Sequence, residues 1–394
     1  MACGRRCWST RSCRVQRDVV AEAVPESPNR VLLLAGVFEV RGSTATTLRL
    51  AERLPEQGFE PLVVCSDAER LSSEVRRELS IRQYHGLSKR LIGWLARRRL
   101  IADFADQPPD LIHVQSSQVV SLGARLADEW GVPLVVSVHD VLQSQDRIEH
   151  PRSVRKILAV SEAVGESLVD RMGVSADRVV VVPGGVDVPD VQRLVGVLEP
   201  DHVPSVGTAG PLEAVKGLPY FLNAAQKVLA AGRDAEFLVA GAGPEENNLR
   251  RLAGELGIRD RVTFLPNRPD FSDALAAMDV FCLPSLQQGL GTIMLEAMSL
   301  ARPVIASAVG GVCSVLRDGE TGMVVPPEDS AALAGRMLSL LDDPVAARTI
   351  GEAGRRDVLA RFGTVTMVER TVSVYKEVIR TGEVLKQPGK GGEE

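Results

Sequence analysis

What the chain lacks narrows its class first. It has no run of about 18 or more apolar residues, the length a membrane-spanning helix needs. Its six cysteines in 394 residues are too sparse for a disulfide framework. No Cys-x-x-Cys pair and no His/Cys cluster at zinc spacing occurs. Cys65, Cys282 and Cys313 lie in or beside apolar segments and read as reduced core thiols. The net charge of −5 argues against a general nucleic-acid binder. The basic opening MACGRRCWSTRSCRVQR has no apolar h-region, so it is not a secretory signal. Residues 1–29 read as a disordered leader or a misassigned start, more readily than as the organelle transit peptide they faintly resemble. The polar tail, residues 382–394, reads as disordered. There is no short-period repeat.

What is there is an alternation. Apolar runs at 30–36, 61–65, 111–115, 134–138, 156–160 and 179–182 predict buried parallel strands, separated by helical patterns at 44–54, 118–130 and 161–172. Residues 89–104, KRLIGWLARRRLIADF, predict a basic amphipathic helix with Leu91, Trp94, Leu95 and Ile101 roughly on one side. A turn-rich stretch over 186–202 reads as a linker. The pattern then restarts, with strands at 203–208, 236–240, 261–265, 279–283, 303–307 and 322–325 and helices between them. Helical patterns fill 328–342, 345–361 and 364–380. The expectation is an α/β chain of two tandem Rossmann-like domains, residues 30–185 and 203–363, facing across a cleft. A last helix over 364–381 is expected to return to the first domain.

Several positions invite chemistry. In FCLPSLQQGLGTIMLEAMSL, residues 281–300, an apolar strand end runs into a glycine loop and then a helix start. That arrangement suits a phosphate, because small residues admit backbone N–H groups and a helix N-terminus carries about half a positive charge. Glu296 near the start of that helix can accept hydrogen bonds from a ribose diol. Lys216 precedes a helix beside the cleft and could neutralise a diphosphate; read alone, a solvated surface charge is the plainer account. His139 ends a strand at the carboxyl edge where such sheets bind ligands. His113 lies inside its strand and reads as a satisfied interior residue. Gly241-Ala242-Gly243 lacks the third glycine of a dinucleotide fingerprint, since Glu246 stands there, so a plain turn into a helix is expected. Glu245, Glu246, Glu166 and Asp170 read as helix-surface charge.

The order of PDLIHVQSS, GVPLVVSVHD, AVSEAV, VVPGGVD, the Lys216-Gly217 loop, FLVAGAGPEENNLRRLAGELGI, DVFCLPSLQQGLGTIMLEAMSLARPVIAS and VGG…DGETGMVVPPED resembles the retaining, nucleotide-sugar-dependent glycosyltransferases of family four, the group 1 enzymes of GT-B fold. The likeness covers about residues 30–380. It implies that His139 faces the donor sugar and Lys216 the leaving diphosphate. It implies that Gly42, Gly210, Gly289, Leu290 and Gly291 approach the donor and that Glu296 holds the ribose. It also implies no obligatory metal or cofactor, a UDP- or GDP-sugar donor, and a glycan or lipid-linked acceptor, as in polysaccharide biosynthesis. The transfer would be of a hexose or N-acetylhexosamine, with configuration retained.

Three departures stand out. Gln288 replaces the first glutamate of the E-x7-E motif, Pro211 replaces an arginine before the Lys216 loop, and Arg41 replaces a second glycine beside Gly42. Cys313 and Ser314 also stand where the pattern has proline and glutamate, and the segment between His139 and Ser161 is short. These leave open reduced activity, a non-catalytic sugar-nucleotide-binding or assembly subunit, and a same-fold epimerase. The helix over 89–104 is expected first as a cover for the first sheet, and it is also the one hint of a peripheral membrane contact; the expected location is cytoplasmic.

Overall fold

The computed structural model describes residues 28–38, 42–87, 93–141, 153–187, 189, 196–200, 202–266 and 271–386. Arg41, most of the leader, the first residues of the predicted 89–104 helix, residues 142–152, much of the predicted linker and residues 387–394 lie outside that set.

The first sheet comprises β1 (Asn29–Leu34), β2 (Phe59–Cys65), β3 (Arg82–Gln83), β4 (Leu111–Val114), β5 (Leu134–Val138), β6 (Val154–Ala159) and β7 (Val179–Val181). Its order is β3-β2-β1-β4-β5-β6-β7, and its pairings are parallel. The second comprises β8 (Ser205–Ala209), β9 (Glu236–Ala240), β10 (Val262–Leu265), β11 (Val280–Leu283), β12 (Val304–Ser307) and β13 (Met323–Val325), in the order β10-β9-β8-β11-β12-β13, again parallel. Strands β4, β5, β11 and β12 are buried along their whole length, which is why they read as unbroken apolar runs.

Around the first sheet lie α1 (Gly42–Arg53), α2 (Ser73–Glu78), α3 (Gly93–Asp103), α4 (Val120–Trp130) and α5 (Glu162–Met172). The second carries α6 (Leu218–Ala230), α7 (Glu246–Glu255), α8 (Ser272–Ala276), α9 (Thr292–Ser299), α10 (Val312–Val315), α11 (Ser330–Asp342) and α12 (Pro344–Arg361). Ser161 caps α5 by accepting from the Val164 N–H, and Asp329 caps α11 through the N–H groups of Ala331 and Ala332. No described helix is long and apolar enough to cross a membrane.

Each sheet reverses its winding at one point, between β1 and β4 in the first and between β8 and β11 in the second. Ligands in open parallel sheets sit at such switch points, beyond the carboxyl ends of the strands. The two switch points face each other. The chain crosses between the domains at Val186 and returns at Gly363, and these crossings pair: the Val186 N–H donates to the Phe362 carbonyl at 2.8 Å and the Thr364 N–H donates to the Val186 carbonyl at 3.0 Å.

After the return, α13 (Thr364–Lys386) packs on the first sheet. It continues past Gly382, where the sequence pattern ended it. Met367, Val368, Val372, Tyr375 and Val378 join Val31, Leu33, Leu50, Leu54 and Phe59 in one buried cluster. Tyr375 also reaches the interior histidine. His113 Nδ1 lies 2.5 Å from the Tyr375 hydroxyl and 2.9 Å from Gln115 Nε2, and its Nε2 lies 2.8 Å from Ser137 Oγ. A neutral ring with its proton on Nε2 satisfies all three contacts.

Two expectations need correction. Trp94 and Leu95 do not face the sheet; they are 51% and 55% exposed, while Leu100, Ala96 and Ile101 of α3 turn inward. Arginines at three successive positions in an eleven-residue helix leave its apolar phase ambiguous. Cys313 is exposed, whereas Cys65 and Cys282 are buried, and burial pushes the Cys65 thiol up to about 12.

Tyr375→Ala should destabilise the protein by about 3–5 kcal/mol, the cost of emptying a large aromatic site, whereas Tyr375→Phe should cost about 1 kcal/mol for one hydrogen bond. Urea-unfolding midpoints of the two variants check this order.

Candidate active site

A cavity of about 460 Å³ lies between the two switch points. Its second-domain wall begins with the loop after β8. Gly210 has φ +134°, a conformation that requires glycine, and Pro211 and Leu212 follow it. This loop rests on the loop after β9. A Cβ at Gly241 would sit 2.0 Å from the Gly210 carbonyl oxygen, and one at Gly243 would sit 2.3 Å from the Leu212 carbonyl oxygen. The glycines of Gly241-Ala242-Gly243 therefore seat a neighbouring loop and do not form a dinucleotide turn.

Lys216 ends a short helical turn and precedes Gly217, at φ +62°. A Cβ at Gly217 would meet the Pro284 carbonyl oxygen at 2.0 Å, and the Leu286 N–H donates to the Val215 carbonyl at 2.8 Å. The loops after β8 and β11 are thus joined, and Lys216 Nζ donates to Gln288 Oε1 at 3.1 Å. The Ser285 hydroxyl donates to the same oxygen at 3.2 Å. Two candidates 72 positions apart meet here as a cation and a neutral amide.

Helix α9 opens into the cavity. Its N-cap, Gly291, has φ +90° and offers no side chain, and Gly291, Thr292, Ile293 and Glu296 line the space. The first-turn N–H groups of a helix have no intrahelical partner and suit an anion. Met294, Leu295, Ala297 and Met298 bury the opposite side.

Gly289 makes a close approach between the domains. It is not among the residues lining the cavity. A Cβ there would sit 2.0 Å from the His139 carbonyl oxygen, across the domain boundary. The Gly289 carbonyl also accepts from the Ser161 hydroxyl at 2.7 Å and from the Gly311 N–H at 3.0 Å. Gly42 plays a similar part at the start of α1, where a Cβ would lie 2.4 Å from Thr292 Oγ1. Leu290 is buried and lines the cavity beside Gly291.

His139 stands beyond β5 on the opposite wall. Its Nε2 is shielded from solvent and has no hydrogen-bond partner among the described residues. Burial lowers its pKa to about 4, against the opposing pull of Asp140 and the Gln115 backbone. The ring is neutral at pH 7. His113 behind it is lowered to about 3 by burial and by His139.

Glu296 holds a partner that sequence reading missed. Arg49 of α1 donates from Nη2 to Glu296 Oε1 at 3.0 Å. It also donates from Nη1 to the Gly185 carbonyl at 2.9 Å and from Nε to Asp187 Oδ2 at 2.9 Å. Burial pulls the guanidinium down, but Glu296 and Asp187 outweigh it and hold its pKa above the usual value. Arg70, Ser72 and Glu52 line the first-domain side as well. Burial and the nearby Asp187 raise the Glu52 carboxyl. Glu245 and Glu246 are remote, bonded to Asn248 and Arg250 on α7. Among the described residues, no group of three or more His, Cys, Asp or Glu could hold a metal ion.

Comparison with known proteins bears on this geometry. Residues 40–189 match the family described as Glycosyltransferase Family 4, and residues 203–343 match glycosyl transferases group 1. The 2-deoxystreptamine glucosyltransferase of Streptomyces kanamyceticus is 30% identical over 305 residues, covering 69% of this chain and 78% of that one. The alpha-D-kanosaminyltransferase of the same organism is 34% identical over 182 residues, 45% of this chain, and the match spans only about half of that relative's length, 47%. Among solved structures, Anabaena Alr3699/HepE in complex with UDP and glucose matches in fold, with a TM-score of 0.75 at 19% identity over 88% of this chain and 99% of that one. The chain is a glycosyltransferase of GT-B fold and belongs to the family 4, group 1 enzymes.

Both histidines must take up protons on unfolding in acid, because their folded pKa values lie below the ordinary 6.5. Stability is therefore fully present above about pH 6.5 and falls as pH drops towards about 4 and then 3. His113 alone should account for about 2 kcal/mol between pH 6.5 and 5. Urea titrations at pH 7 and pH 5, on wild type and His113→Gln, test this, with a smaller pH effect expected in the variant.

Proposed function

We propose that this enzyme moves a hexose or N-acetylhexosamine, with retention of configuration, from UDP or GDP to a hydroxyl of a glycan or lipid-linked acceptor. The observation that carries the proposal is the meeting, around one cavity, of Glu296, the α9 N-terminus, Lys216 with Gln288, and the shielded Nε2 of His139. Each suits one part of a nucleotide sugar. The carboxylate suits the ribose diol, the helix end and lysine suit the diphosphate, and the amide and imidazole suit sugar hydroxyls. The complex of Alr3699/HepE with UDP and glucose and the glucosyl transfer named for the 2-deoxystreptamine relative agree with such a donor.

In the proposed reaction the bond from the anomeric carbon to the diphosphate oxygen breaks. The acceptor oxygen bonds the same face of that carbon, and its proton passes to the departing diphosphate. Lys216 and the α9 N-terminus stabilise the charge that develops on the leaving oxygen. They take the part a metal would otherwise play, so no metal is obligatory. Two of the departures from the family pattern, at positions 211 and 288, offset each other in charge. Pro211 removes a cation, Gln288 removes an anion, and Lys216 is left beside a neutral amide.

The acceptor enters from the first domain, past Ser72 and Arg70. A peripheral membrane contact is also proposed, through exposed Trp94 and Leu95 beside the arginines at 97–99. That contact suits a lipid-linked acceptor.

Incubation with UDP- and GDP-sugars should release nucleoside diphosphate, with or without EDTA. Absence of both turnover and nucleotide binding would overturn the proposal. Glu296→Ala and Lys216→Ala should each lower kcat/KM by about 10²–10³-fold, and Glu245→Ala should leave it unchanged. Gln288→Glu puts a carboxylate beside Lys216 and should weaken diphosphate binding in calorimetry. Trp94→Ala with Leu95→Ala should reduce flotation with anionic vesicles, and equal flotation of wild type and variant would refute the membrane contact.

A further inference from the structure

The Arg49 side chain is 17% exposed, and its guanidinium makes three directed contacts at once. Two go to the segment where the chain crosses between the domains, at the Gly185 carbonyl and Asp187. The third goes to Glu296, in the other domain and 247 positions away. The crossing segment is itself fixed by its pairing with Phe362 and Thr364. Arg53 adds a second cation on Asp187 at 3.6 Å. Arg49 is thus anchored at two points before it reaches the carboxylate. A planar guanidinium with five N–H donors can hold such a fork, whereas a lysine ammonium has no fixed fork. Accepting from Arg49 does not use up a carboxylate, which can take about four hydrogen bonds.

We infer that Arg49 is a positioning residue for nucleotide recognition: it fixes the Glu296 carboxylate against the domain crossing, so that selection of a ribose with both hydroxyls depends on a first-domain side chain. The inference rests on the assignment of Glu296 to the ribose. It goes beyond that assignment by making ribose selection a property of both domains and of the crossing between them. Without Arg49, Glu296 would retain its charge but lose the orientation set by the domain crossing, and with it the geometry that separates a diol from a single hydroxyl.

The test is the ratio of affinities for a ribonucleotide and its 2′-deoxy form, by calorimetry with UDP, GDP and ADP and their 2′-deoxy counterparts. Wild type should prefer the ribo form of its nucleotide by about tenfold or more, the scale of one hydrogen bond to a charged group. Glu296→Ala should reduce that preference to about threefold or less. Arg49→Ala should do the same, Arg49→Lys should fall between, and the double variant should show no further loss, as expected of two residues acting as one unit. A residue that merely braced the fold would weaken both nucleotides equally and leave the ratio unchanged. If Glu296→Ala loses the preference and the Arg49 variants keep it, the inference is overturned and the ribose assignment stands. If Glu296→Ala keeps the preference, or wild type has none, the assignment fails and the inference with it. Should Arg49→Ala not fold, Arg49→Lys and Asp187→Asn, which loosens the anchor without touching Glu296, give the same reading.

Discussion

The contact of bare backbone with bare backbone at Gly289 and the His139 carbonyl is the constraint on which the site depends. One methyl group at Gly289 would lie 2.0 Å from that oxygen and push the domains apart. Gly42 against the Thr292 side chain and Gly311 against the Ser161 Cβ add close approaches of glycine backbone to side chains across the same boundary. Side chains on either wall can act on one small molecule because the walls themselves come this close. The glycines here are spacers between domains before they are anything else.

Much of the fold was legible because parallel strands buried on both faces are short apolar runs, and β4, β5, β11 and β12 are of that kind. The order of motifs carried the family likeness. Residues 66–86 were opaque, since α2 has no buried residue and β3 is two residues long. Phase failed for α3, where an arginine run breaks the apolar stripe that would have distinguished the faces. In the site, His139, Lys216, Gln288 and Glu296 could be picked out because each follows a strand's carboxyl end or opens a helix. The approach of Gly289 to the His139 carbonyl could not, because nothing local in a glycine announces which backbone it will meet. Arg49 gave no signal at all. It lies on the polar side of a helix, where a solvated charge is the ordinary account, and nothing local announces a partner 247 residues away.

Charge in the cavity is arranged by pairing more than by number. Lys216 meets a neutral amide, while Arg49 is committed to two acids. The neutral His139 adds polarity but no charge to that wall.

The way α13 closes the first domain has a consequence for the order of events during synthesis. Tyr375 and Val378 complete a cluster begun by Val31 and Leu33, and Tyr375 is a partner of the buried His113. A ribosome emits those partners far apart in time, with the whole second domain between them. The first domain is made first, yet its interior stays open until α13 has emerged. The second domain, whose strands run from Ser205 to Val325 and whose α12 ends at Arg361, has its own parts in hand earlier. The half that begins the chain is therefore the half that is finished last.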